Sequence, residues 1–174
     1  MKIISCLFIF VALISCGATK VNYDYDVEKD FSTYTTYNYY PSIESGLNAF
    51  EDKRIIQAID SILQYKQMVK SDDPQLYINF YSQEYTTHSP NTIGIGVGNM
   101  GRNTSVGISG GIPIGGVQVQ QMLTIDFIEV AGDALVWKTE INSSFSERAG
   151  SNKLKNHYRK ILEKAFQEYP PLRE

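Results

Sequence analysis

The 174-residue sequence predicts an α+β fold: a mostly antiparallel sheet with two amphipathic helices packed on one face, plus a Gly-rich hairpin. Three observations predict it. Apolar residues recur at every second position in several separate runs, the strand period. Two other segments switch to helical spacing, one mid-chain and one at the C-terminal end. Residues 93–117 hold nine of the 13 glycines, with little in them to build a core.

Val21, Tyr23 and Tyr25 alternate with Asn22, Asp24 and Asp26, which predicts a half-buried first strand. Tyr34 to Tyr40 is rich in Tyr and Thr and suits a second strand that Pro41 stops. Asn48, with Glu51 three residues on, is a helix-capping pattern. Ile55, Ile59, Ile62 and Leu63 then predict a helix over about 49–66. Asp72-Asp73-Pro74 is turn chemistry. Leu76, Ile78 and Phe80 alternate with Tyr77, Asn79 and Tyr81, a third strand that can run on to Tyr85. Leu123, Ile125 and Phe127 mark a further strand, and Leu135 to Ile141 pairs back on it after an Ala131-Gly132-Asp133 turn. Leu154, Tyr158, Ile161, Leu162, Ala165 and Phe166 form one apolar face of a second helix over about 151–168, ended by Pro170-Pro171. No internal repeat or second domain is visible.

The amino terminus carries a different message. Lys2 precedes an apolar run from Ile3 to Ile14, shorter than the about 20 residues a membrane-spanning helix needs, and of signal-peptide size. Leu13-Ile14-Ser15-Cys16 resembles a bacterial lipobox, in which cleavage follows Ser15 and Cys16 is acylated. The expected division is therefore 1–15 as lipoprotein signal peptide, 16–20 as lipidated tether and 21–171 as one α+β domain. Both cysteines are then accounted for: Cys6 leaves with the signal and Cys16 holds lipid. Gly17 is not the Asp that resembles an inner-membrane retention signal, and no acidic run follows Cys16. The expected location is the outer membrane, facing the periplasm, with surface exposure left open.

Several short stretches together are similar to a known family. Val21-Asn22-Tyr23-Asp24 and Asp30-Phe31-Ser32 leading into Tyr34-Thr35-Thr36-Tyr37 resemble the opening of the DUF4136 lipoproteins. Asp73-Pro74-Gln75-Leu76-Tyr77-Ile78 resembles a strand of that family, with Asp and Pro in the opposite order. Leu123-Thr124-Ile125-Asp126 followed by Leu135-Val136-Trp137-Lys138 resembles its strand–turn–strand hairpin, and Tyr169-Pro170-Pro171 its close. The resemblance implies an envelope lipoprotein with helices on a sheet. It implies no established activity and supplies no catalytic residue.

In the Gly-rich segment, Ile93, Ile95 and Val97 alternate with Gly94, Gly96 and Gly98, and Val106 and Ile108 with Gly107 and Ser109, about an Asn99–Asn103 turn. Arg102 is the only Asp, Glu, Lys or Arg between Glu84 and Asp126. Gly96-x-Gly98-x-x-Gly101 matches a dinucleotide fingerprint in form, but no helical period follows it, so no nucleotide is expected. Three uses remain open. The hairpin is a mobile edge, or a docking edge for a partner strand or flat glycan ring through Gly94, Gly96, Gly98, Arg102 and Gly107, or a membrane-inserting element of an oligomer.

Catalytic and metal-binding material is scarce. His88 and His157 are the only histidines, too few for a zinc site, and no cofactor is expected. A triad of Ser146, His157 and Asp126 can be written on paper, without a supporting nucleophile motif. Asp72 and Asp73 read as turn residues rather than a paired-carboxylate site. Lys153, Lys155, Arg159 and Lys160 form a basic helix face for solvent, anionic lipid or polymer. Tyr23, Tyr25, Tyr37, Tyr39, Tyr77 and Tyr81 offer either core-edge packing or a sugar-stacking surface. With 16 Lys+Arg against 19 Asp+Glu, a net charge of -3, nucleic-acid binding is not expected. The expectation is thus a non-catalytic binding or structural module, partnered by the membrane through its lipid and by another envelope protein or glycan. The alternative is a hydrolase of envelope material.

Overall fold

The computed structural model describes residues 19–88, 92–94, 111–113 and 116–171, with side chains over 19–87 and 116–171. Cys16, Gly96, Gly98, Arg102 and Gly107 lie outside the described residues. The described residues form eight strands: β1 (Lys20–Tyr25), β2 (Thr36–Tyr39), β3 (Val69–Lys70), β4 (Leu76–His88), β5 (Thr92–Gly94), β6 (Gly111–Pro113), β7 (Val117–Glu129) and β8 (Ala134–Ser146). Two helices join them, α1 (Ala49–Tyr65) and α2 (Ser151–Ala165). Six strands form one sheet in the order β1-β8-β7-β4-β2-β3. The fold is α+β, and the sheet is mostly antiparallel.

Two parallel pairings complete it. β2 runs parallel to β4, with Tyr37 opposite Leu76 and Tyr39 opposite Ile78, and parallel to the short β3. The chain between β2 and β4 carries α1, because parallel neighbours need a crossover rather than a tight turn. Strand periodicity contains no information on this, since it does not distinguish parallel from antiparallel neighbours.

The two helices cover one face. Ile55, Ile59 and Leu63 of α1 and Tyr158, Ile161, Leu162 and Ala165 of α2 are buried in the same cluster as Leu76, Ile78 and Phe80 of β4. Leu123, Ile125 and Phe127 of β7 and Trp137 and Ile141 of β8 complete it. Each fully buried side chain of this size contributes about 1.5–3 kcal/mol. β7 and β8 slip register between Phe127 and Ile128: Phe127 faces Trp137 while Ile128 faces Leu135. The extra residue, Val136, is 1% exposed, so the bulge adds to the core rather than to the surface.

Local chemistry sets the element ends. The Asn48 side chain accepts from the backbone N–H groups of Phe50 and Glu51 at 3.0 and 3.2 Å, capping α1 as its spacing predicts. Asn48 Nδ2 also donates to Glu51 Oε2. Just before this cap, Gly46 has φ +74, and a Cβ there would meet the Ser82 carbonyl oxygen at 3.0 Å. Only glycine suits that approach of chain to strand. α1 is tied to β2 by Tyr37 and Tyr39, whose hydroxyls donate to Asp60 Oδ1 at 2.9 and 2.8 Å. The connection between β1 and β2 is clasped to the end of β7, where Glu129 accepts from Lys29 Nζ at 2.6 Å and the Tyr34 hydroxyl at 2.7 Å. Gln75 acts as a substitute strand partner, accepting from the Thr35 N–H at 2.8 Å and donating to the Thr33 carbonyl at 3.0 Å.

β4 and β7 are the longest pairing together with β7 and β8, and they exceed the expected strands. β4 reaches His88 rather than Tyr85, and β7 begins at Val117 rather than Leu123. The pairing does not stop at the main sheet. Four residues beyond the His88–Val117 rung on each side, Thr92 faces Pro113, then Ile93 faces Ile112 and Gly94 faces Gly111. The described ends of the Gly-rich segment, 92–94 and 111–113, thus keep the register of the two central strands.

Both helix stripes are predicted to carry the fold. Ile59→Asp and Ile161→Asp place an unpaired carboxylate at positions 0% and 3% exposed. Each is expected to cost several kcal/mol, much of a typical 5–15 kcal/mol stability. Urea melts of both variants check this, and a midpoint equal to wild type for either one would show that its stripe does not support the sheet.

Candidate functional site

Three surfaces and one buried cluster are available. The first surface is the bare side of the sheet. Strand alternation sends Tyr77, Asn79, Tyr81, Asp126, Lys138 and Glu140 to the face away from the helices. Burial pushes the Asp126 carboxyl above its ordinary range. The six tyrosines considered as a stacking surface are split by this alternation. Tyr23, Tyr25, Tyr37 and Tyr39 share the helix-covered side, and Tyr77 and Tyr81 lie on the opposite side. A single sugar platform built from all six is excluded.

The second surface is the groove between α1 and α2. The helices run side by side in the same direction: Glu51 lies beside Tyr158, and Tyr65 lines the same groove as Phe166. The groove encloses about 770 Å³. Ala58, Ile62 and Phe166 contribute to its apolar lining, Arg54, Lys66, Lys155 and Arg159 form its cationic part, and Asp60 and Glu163 are its two carboxylates. Of the four cations only Arg159 has an ion-pair partner among the described residues, Glu163 at 3.8 Å. That pair is solvent-exposed and contributes little. Burial holds the Lys66 ammonium below the usual lysine range.

The third surface, a shallow recess of about 260 Å³, lies where β1 meets the sheet and includes Lys20, Tyr85, Met122 and Asn142.

The buried cluster sits under the start of α1 and the middle of α2. Gln121, 2% exposed, donates to Glu84 Oε1 at 2.6 Å and to the Tyr158 hydroxyl at 3.1 Å. The Tyr158 hydroxyl donates to Glu51 Oε1 at 3.3 Å. Burial pushes Glu84 above the ordinary carboxylate range, with nearby Glu51 adding to it and the Gln121 hydrogen bond opposing it. Beside this chain, Ser143 Oγ and His157 Nε2 are 3.3 Å apart, and Phe145 packs on the imidazole with ring centroids 5.0 Å apart. Burial lowers the His157 pKa from its ordinary value.

These positions settle the paper triad. His157 meets Ser143, not Ser146, because odd positions of β8 face α2. Asp126 lies on the other side of the sheet, so Ser146, His157 and Asp126 are not brought together. Asp72 and Asp73 are exposed turn residues, with the Asp73 N–H donating to Ser71 Oγ at 3.1 Å. Lys153, Lys155, Arg159 and Lys160 are all exposed, and two of them, Lys155 and Arg159, face the groove. Among the described residues no group of three or more His, Cys, Asp or Glu is placed to hold a metal. No helix among them is long and apolar enough to cross a membrane.

With the fold and its surfaces established, comparison with known proteins assigns the chain. A family model matches residues 21–171. The chain belongs to the family described as domain of unknown function DUF4136. No curated protein matches it. Among solved structures, this DUF4136 chain is similar to a PDZ domain protein from Parabacteroides distasonis, with TM-score 0.54 and 16% identity. That likeness covers 90% of this chain and 36% of the other, so the chain spans about a third of it. It is also similar to a PelC dodecamer from Paraburkholderia phytofirmans, with TM-score 0.45, 13% identity and coverage of 86% and 95%. The first likeness concerns the fold alone.

The buried imidazole makes a pH prediction. Its folded pKa lies below the unfolded value of about 6.5, so the unfolded chain takes up the proton first. The stability that depends on a neutral His157 is present above that pH and is lost as pH falls through about 6.5 towards the lower folded value. His157→Gln is expected to flatten the decline in melting temperature between pH 7 and pH 5. Parallel curves for wild type and variant would show that His157 is not the titrating group.

Proposed function

We propose that this protein is a lipid-anchored envelope lipoprotein of the outer membrane, facing the periplasm, with its single domain acting as a non-catalytic binding or structural module. One observation carries the reading. Lys20 opens β1, so only three residues separate it from Cys16, four steps along the chain, in the lipobox-like Leu13-Ile14-Ser15-Cys16. Four extended residues span at most about 14 Å. Acylation at Cys16 would therefore hold the sheet edge directly over the lipid, and two or more acyl chains anchor stably.

The topology adds an orientation to this. Lys20 is level with Asn142, Met122 and Gln83. From that level β4 continues five residues to His88, about 17 Å, in the direction of the tether. Both helices also begin at this end of the sheet. The tether, the helix starts and the extension of the central hairpin thus share one end of the domain, which would lie nearest the membrane.

A binding role rather than hydrolysis is supported by the form of the polar groups. Ser143 is 8% exposed and its histidine is covered by Phe145, so the pair is part of the packing between α2 and β8. The concavity with room for a ligand is the groove between the helices, on the other side of α2's buried stripe.

Metabolic labelling with radioactive palmitate in a bacterial host tests the anchor. Wild type is expected to incorporate label, and Cys16→Ala to lose it entirely and accumulate as precursor or soluble product. Equal incorporation by both would remove Cys16 as the lipid site and the reading with it.

A further inference from the structure

We propose that the groove between α1 and α2 binds a fatty acid: one acyl chain along the apolar floor and its carboxylate at the cations of the walls. The inference goes beyond the envelope-anchor reading and does not depend on it, because every residue involved lies in the folded domain.

The groove has two chemically distinct parts. Its floor is made by Ala58 and Ile62 of α1 and by Phe166 at the end of α2. Phe166, 1% exposed, is packed in the aromatic core with its ring tilted against Phe127 and Trp137, centroids 5.8 and 5.5 Å apart, and presents only its edge to the groove. The floor is therefore preformed, and a chain laid on it loses water without the protein paying for reorganisation. The walls carry more cations than anions: Asp60 and Glu163 line them too, but Asp60 faces Lys70 and accepts from the Tyr37 and Tyr39 hydroxyls, and Glu163 faces Arg159. Arg54 lies on the α1 side, and Lys155 and Arg159 on the α2 side. Arg54, Lys66 and Lys155 have no carboxylate within ion-pair distance among the described residues. With four cations against two carboxylates that already have other partners, the groove keeps an excess of positive charge and gains from an anion placed among Arg54, Lys66 and Lys155. Their aliphatic stems extend the apolar surface while the charged ends remain at the rim.

Size selects among anionic partners. The groove's about 770 Å³ falls within the about 300–1,000 Å³ of small-molecule sites. Its apolar floor consists of three side chains, whereas a stable protein interface engages about 20–30 residues a side. A small amphiphile with one negative end fits this combination. A purely polar anion would leave the floor unused, and a neutral lipid would leave the cations unanswered.

The test uses the purified full chain in phosphatidylcholine nanodiscs with a 16-carbon diazirine fatty acid as photoprobe. Mass spectrometry then maps the labelled residues. Labelling is expected on 54–66 and 155–167, to fall at least tenfold in an Arg54→Gln, Lys155→Gln double variant of unchanged melting temperature, and to be weak with the methyl ester of the same probe. Cys16→Ala is expected to label as wild type does, which separates this proposal from the anchor reading. Labelling elsewhere, equal labelling by the ester, or no loss in the double variant would overturn it.

Discussion

The ladder between β4 and β7 is the constraint on which the rest of the molecule depends. Thirteen residues of each strand pair without interruption from Leu76–Glu129 to His88–Val117. The half towards Leu76 presents Leu76, Ile78, Phe80, Ile125 and Phe127 to the helices, and all five are fully buried. The half towards His88 presents Glu84, Gln121 and Val119 at the corresponding positions. Along one continuous ladder the covered face thus passes from apolar core to polar cluster. α1 and α2 follow this gradient, with Glu51 and Tyr158 over the polar half and Leu63 and Ala165 beyond it. Because a one-residue slip would send every inward side chain to the bare face, the register of this pair also sets where each helix can lie.

The same ladder explains why the surfaces differ so much. Where the inward positions are apolar, the helices press close and their outer margins leave a groove with an aromatic floor. Where the inward positions are polar, side chains satisfy one another through Gln121 and the Tyr158 hydroxyl, and burial perturbs Glu84 and His157 in opposite directions of charge. Both groups favour their neutral forms, as expected where desolvation exceeds the available hydrogen bonds. The Gly-rich strands beyond His88 and Val117 inherit the register of the ladder rather than establishing one of their own.

Much of this was legible in the chain. Ile55, Ile59 and Leu63 recur at helical spacing, and all are buried under α1; Asn48 caps that helix as its side chain predicts. Leu76–Ile78–Phe80 and Leu123–Ile125–Phe127 alternate cleanly because their partners are apolar. The first half of β7 was not legible, since Val117 to Met122 carries three glutamines and its inward Gln121 is buried by hydrogen bonds, not by hydrophobicity. The parallel β2–β4 pairing was hidden for another reason: adjacency across a helix is a three-dimensional fact with no local period. The Ser143–His157 contact likewise depends on which β8 positions α2 covers, and the proximity in sequence of Ser146 to His157 is misleading there. Gln75, which serves as a strand partner for Thr35, carries no signal apart from its position after Pro74.

The proposed anchor would set an orientation: the end of the sheet that bears Lys20, Tyr85 and the hairpin extension would lie against the membrane, and the end that bears Leu135 would point away. Tyr85 and Leu135 are 66% and 52% exposed, so each accepts a label with little effect on packing. Tyr85 and Tyr77, the latter level with Leu135 through Ile128, are eight residues apart on β4, about 27 Å. The direct measurement is paramagnetic relaxation of a spin label at Tyr85→Cys or Leu135→Cys, in the lipidated chain on vesicles carrying nickel-chelating headgroups. The account predicts strong relaxation at Tyr85→Cys and weak relaxation at Leu135→Cys. Equal relaxation at the two sites, or the reverse order, would contradict it.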